Sequence, residues 1–178
     1  MSNRPDHRPK ARDAFRLASD LMMDLIGGIR AYDMFQQLFA VRPPREPVPT
    51  QVNRLCLFHL IITLSKWKEF YDRYRDVLPE DVRDAAKTLS KVIEAKGIPD
   101  FRNKVVGHVW DEDARRALTA TEIEQRLKVV LHPGLREFMT WVNDPNDNSF
   151  PRTAVSVIER VRDRIRELHT FTDDDLTG

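Results

Sequence analysis

"ARDAFRLASDLMMDLIGGIRAYDMFQQLFA", residues 11–40, settles the fold class. Phe15, Leu17, Leu21, Met22, Leu25, Ile26, Ile29, Met34, Phe35, Leu38 and Phe39 recur every three or four residues, the period of one face of an α-helix. A strand would alternate every second residue, and this stretch does not. Gly27 and Gly28 interrupt the pattern, each costing about 1 kcal/mol relative to alanine in a helix interior. Such a pair marks a bend or the close approach of another helix, and close packing is the expectation.

The same period continues outward. "VRPPREPVPT", residues 41–50, ends the first helix, because its prolines remove backbone donors and push their predecessors out of the helical region. A second helix is expected over about 51–77, with Leu55, Phe58, Ile62 and Phe70 inward and His59 as a hydrogen-bonded core histidine. Trp67, Tyr71 and Tyr74 at helical spacing read as core or interface rather than as a base-stacking platform. Pro79 opens a third helix that Gly97 can close. A further helix follows, with competing capping boxes at Thr119–Glu122 and Thr121–Glu124 and a break at His132–Gly134. The last helix begins near Pro151, holds Val155, Ile158, Val161, Ile165 and Leu168 as an apolar stripe at helical spacing, and shows a salt-bridged charged face. The expected architecture is an all-α bundle of four to six helices in a single domain over 1–178, with residues 1–10 and 172–178 as flexible tails.

Composition narrows function. The 29 Lys and Arg nearly cancel the 28 Asp and Glu, which argues against holding nucleic acid by bulk charge alone. Cys56 is the single cysteine, so no internal disulfide can form, and its apolar setting suits a buried thiol in a reducing compartment. The amino-terminal residues lack the apolar run of a secretory signal, and "LCLFHLIITL" (55–64) is too short to span a bilayer. A cytoplasmic protein with no membrane partner is the expectation. Glycine-rich phosphate loops, paired-cysteine zinc spacing and nucleophile elbows are absent from the sequence. The five histidines are scattered and no His-x-x-x-His occurs, so neither a metal nor another cofactor is expected.

"PDFRNKVVGHVWDED", residues 99–113, is where chemistry can reside. Asp100 is a good N-cap, so a short helix is expected from Phe101, with Phe101 and Val105 inward and Arg102, Asn103 and Lys104 at a rim. On a straight helix Arg102 and His108 would stand roughly 240° apart. Gly107 can take a left-handed conformation and swing His108 back towards the arginine. Histidine can take a proton from a nucleophile or give one to a leaving group, and arginine can neutralise charge gathering on a phosphate. RNA cleavage on this plan needs no metal, because the ribose 2′-hydroxyl is the nucleophile.

"RNKVVGH", an arginine, a polar residue and a histidine after five intervening residues, resembles the signature of HEPN domains. The helices before it also resemble HEPN-like proteins of bacterial phage-defence and toxin–antitoxin loci, over about 51–109. The resemblance implies a bundle of four or five helices, a homodimer, and a metal-independent endoribonuclease acting at the dimer cleft. It makes Arg102 and His108 catalytic, with Asn103 assisting; Lys104 can bind the RNA backbone. An antitoxin or other regulatory protein is the implied partner. In a toxin branch of the family a tyrosine two residues after the histidine is modified; Trp110 stands there in this chain. The contrasting expectation is a non-catalytic helical module of the same fold that binds a partner protein or a nucleotide.

Overall fold

Proline and glycine punctuate the chain where helices end. The computed structural model describes residues 8–106, 115–169 and 171, and among these it contains seven α-helices, one π-helical turn and no strand. The helices are α1 (Arg8–Val41), α2 (Val48–Tyr74), α3 (Glu80–Ala95), α4 (Ile98–Phe101), α5 (Ala120–Val130), α6 (Leu135–Val142) and α7 (Ala154–His169). The π turn, Arg102–Val106, follows α4 directly. None of these helices is long and apolar enough to cross a membrane.

Four helices close a ring: α1 packs on α2 and α7, and α3 packs on the same two. Leu25, Leu60, Leu64, Trp67, Ile93, Ile158, Val161 and Ile165 fill its interior with no measurable exposure. Trp67 stacks on Phe70 with ring centroids 4.8 Å apart, and Phe70 in turn meets Tyr74 at 5.3 Å. These aromatics belong to the core. Gly28 lets α1 and α2 approach: a Cβ there would lie 2.7 Å from a Leu60 methyl and 3.0 Å from the His59 ring. Gly27 is different, since a Cβ there would meet nothing within 4 Å.

Several sequence expectations need correction. Residues 8–10 belong to α1 rather than to a tail, held by the Lys10–Asp76 ion pair at 2.7 Å. Residues 1–7 and 172–178 lie outside the described residues. The inner face of α2 is Leu57, Leu60, Ile61 and Leu64, not the face of Leu55 and Ile62. Both sets have helical spacing, and the neighbouring helices cover the first; Leu55 is left 69% exposed. His59 is exposed, although its Nε2 does hydrogen-bond the Asp24 carbonyl at 3.0 Å. In α1 the periodic residues after Ile29 leave the core: Met34 and Leu38 are exposed, and Phe35 and Phe39 stack on each other at 5.9 Å, half-buried. The reason is length. At about 1.5 Å per residue, the 34 residues of α1 outrun the 16 residues each of α3 and α7.

Elsewhere the local rules hold. Thr119 and Glu122 form the reciprocal capping box of α5, so this pair prevails over Thr121–Glu124. The last helix starts at Ala154 rather than at Pro151, because Thr153 and Ser156 exchange hydrogen bonds that cap it. Its charged face is laced as expected: Arg164 reaches Asp81 on α3 at 2.7 Å and also pairs with Glu167.

Candidate functional site

Gly97 sets the geometry of the candidate site. It adopts the left-handed conformation (φ 68°), which ends α3, and it serves at once as the residue preceding α4. Pro99 in the first turn favours helix initiation there. The short helix therefore begins at Ile98, not at Phe101 under an Asp100 cap. Asp100 instead lies inside the turn and pairs with Lys104 at 3.3 Å. Ile98 and Phe101 are buried, and Phe101 meets Phe58 of α2 edge-on at 5.7 Å. This anchor fixes the backbone from which Arg102 emerges.

From Arg102 the chain leaves α geometry and makes one π turn. Such turns hold one residue more than an α turn and occur frequently at functional sites. The phase argument from a straight helix through Arg102 and His108 thus fails at Arg102 itself, five residues before Gly107. Arg102 is half-buried and its Nη1 donates to Asn103 Oδ1 at 2.9 Å, while Asn103 is exposed. Among the described residues no carboxylate pairs with Arg102. Val105 and Val106 pack against the core, so Arg102, Asn103 and Lys104 stand on the rim as expected. Gly107, His108, Val109 and Trp110 lie outside the described residues, and with them the approach of His108 to Arg102.

Sequence reasoning passed over two further cationic features. Arg54 of α2 lies over the Phe58 ring at 4.9 Å, on the aromatic pair that anchors α4. Its signal was the i, i+4 spacing from Arg54 to Phe58. Separately, Lys96, Lys128 and His132 line a shallow depression with Ala95 and Val129. The Lys96 ammonium donates to the His132 carbonyl at 2.8 Å and sits 5.3 Å from the Trp141 ring centroid. Burial lowers its pKa. Lys128 is paired with Glu124 at 2.9 Å. Nothing in the sequence joins positions 96 and 132 except the fold.

Among the described residues no three His, Cys, Asp or Glu side chains gather as a metal group. Cys56 is buried, and burial pushes its thiol pKa up.

No family model matches this chain, and no curated protein matches it. The chain is similar to a solved structure, the integron cassette protein Vpc_cass2 from the mobile metagenome of V. paracholerae, with 21% sequence identity and a TM-score of 0.72. The match covers 93% of this chain and 99% of that one. At this identity the likeness establishes a shared all-α fold over nearly the whole chain.

Proposed function

We propose that the protein is a metal-independent endoribonuclease of HEPN type, with Arg102, Asn103 and His108 as its working residues. The observation that carries this reading is the state of Arg102. Its guanidinium is steadied by a neutral amide, no carboxylate pairs with it among the described residues, and it rises from a π turn anchored by buried Phe101. A guanidinium so held keeps its charge and its fork for two phosphate oxygens.

In the proposed reaction His108 takes the proton from the ribose 2′-hydroxyl, and the oxygen attacks the adjacent phosphorus. The bond from phosphorus to the 5′-oxygen breaks, the 5′-oxygen gains a proton, and the upstream fragment ends in a 2′,3′-cyclic phosphate. Arg102 balances the charge that builds on the non-bridging oxygens. Asn103 holds the guanidinium in place, and Lys104 offers a further contact to the RNA backbone.

The test is direct. Wild type, Arg102→Ala and His108→Ala are incubated with labelled RNA in EDTA, with circular dichroism run in parallel. Wild type should cut and leave cyclic phosphate ends, and both variants should lose cleavage while keeping their helical signal. Equal cutting by all three proteins would exclude this site. Loss of helicity in His108→Ala, with no RNA turnover by wild type, would favour the non-catalytic module.

A further inference from the structure

Between α1 and α6 lies a cleft of about 460 Å³, inside the range of about 300–1,000 Å³ that small-ligand sites occupy. Ile29 from α1 and Leu135 and Met139 from α6 give it an apolar lining. Arg136, Thr140 and Asn143 enter it at helical spacing from α6, and Asp144 follows just past the helix end. Tyr32 and Asp33 line the α1 side.

The polar groups of this cleft are not satisfied by the fold. Among the described residues, the Tyr32 hydroxyl, the Asn143 side-chain amide and the Arg136 guanidinium have no hydrogen-bond or ion-pair partner, and Asp33 pairs with no cation. Asp144 Oδ1 accepts from the Asn146 backbone N–H at 2.9 Å, and its other carboxylate oxygen has no described partner. Tyr32 and Asn143 are half-buried, and a polar group withdrawn from water without a partner costs free energy. The basic residues of α7 behave otherwise: Arg164 reaches Asp81 at 2.7 Å and Arg162 reaches Asp163 at 2.6 Å. Convergent polar groups around an apolar lining are the composition of a ligand site.

We propose that this cleft binds a short peptide of about three residues with free termini. Arg136 stands near the start of α6 and Asp144 just past its end, so their backbones are about 10 Å apart along the helix axis. A single amino acid carries its ammonium and its carboxylate too close together to serve both, whereas three extended residues span about 10 Å. The peptide carboxylate takes the Arg136 fork and the ammonium pairs with Asp144. Thr140 and Asn143 between these ends, with Tyr32 and Asp33 on the other wall, exchange hydrogen bonds with the peptide amides. Ile29, Leu135 and Met139 receive an apolar middle side chain. The cleft shares no lining residue with the π turn, so peptide binding does not depend on RNA cleavage.

Isothermal titration calorimetry of the full chain with alanyl-leucyl-alanine tests the proposal. The wild type should bind the free tripeptide. An amide at the peptide's carboxy-terminus, or an acetyl at its amino-terminus, should each raise the dissociation constant about 10-fold or more. Arg136→Met should weaken the free tripeptide by about the same factor and leave the amide form unaffected. Asp144→Asn should weaken the free tripeptide and leave the acetylated form unaffected. Circular dichroism should show both variants as helical as the wild type. A wild type that does not bind the tripeptide, capped forms that bind as tightly as the free one, or folded variants that weaken free and capped peptides alike would overturn the proposal.

Discussion

Gly27 and Gly28 are adjacent in sequence and point about 100° apart around α1. Gly28 lies where the helix is pressed against α2, and Gly27 lies where the helix faces open space. The same division runs along the helix. Its first two thirds, to Ile29, bury a continuous face in the four-helix ring; its end, from Met34, keeps apolar side chains that are exposed or half-buried. The contrast separates what periodicity can teach from what it cannot. A repeating apolar residue declares that a face wants covering. It does not declare whether the cover comes from the same chain.

The largest expected difference between the two regions is in core truncation. Trp67→Ala should lower stability by about 4 kcal/mol, because a fully buried indole leaves a cavity among packed neighbours. Met34→Ala, at an exposed position, should change stability by less than about 0.5 kcal/mol. Urea unfolding measures both, and equal losses would mean that the carboxy-terminal end of α1 is packed after all.

The glycine pair sharpens the contrast at a single turn. Gly28→Val should cost about 3 kcal/mol, because its branches would enter the space of the Leu60 side chain, itself fully buried. Gly27→Ala should do the opposite, adding about 1 kcal/mol through helix propensity with no steric penalty. Thermal melts of the two variants give the signs; the same sign for both would erase the distinction.

The smallest effect lies in the capping box of α5, far from either glycine. Hydrogen bonds from Arg116, then from the Thr119 backbone and hydroxyl, hold the Glu122 carboxyl well below the usual carboxylate range. A depressed folded pKa contributes stability that is complete above the unfolded pKa near 4.5 and is lost as pH falls below it. The exposed setting keeps the contribution modest. Comparing melts near pH 6 with melts near pH 3, Glu122→Gln should lose less stability on acidification than the wild type does; an identical loss would show that the box contributes nothing.

Much of the fold was legible in the sequence because its signals are local. The proline run after Val41, Gly97 at the end of α3, the capping residues of α5 and the stripe of α7 each act within a turn or two of their own position. The inner face of α2 was legible at Phe58 and Phe70 but not between and before them, because Leu55 and Ile62 satisfy helical spacing as well as Leu57, Leu60 and Leu64 do. Only the placement of α1 and α3 chooses between them. The surplus apolar residues of α1 were counted as core for the same reason. At the candidate site, residue types gave Arg102 and Asn103 as a rim pair, and their hydrogen bond at 2.9 Å fits that expectation. The π turn escaped sequence reasoning, because Phe101 and Val105 at i, i+4 spacing suit an ordinary α turn, and only the fold shows Val106 packed on the core beside Val105. The depression at Lys96 and His132 escaped too, since it joins segments that only the tertiary fold brings together.

The functional account rests on Arg102 acting as a fork on phosphate rather than as a surface charge. The measurement that tests this most directly is the single-turnover rate of RNA cleavage in EDTA by wild type and Arg102→Lys. Lysine keeps the charge and removes the fork. The account predicts metal-independent cutting by wild type and a loss of about 100-fold in Arg102→Lys, with the melting temperature unchanged. A wild type that leaves RNA intact, or a lysine variant that cuts as fast, would contradict it.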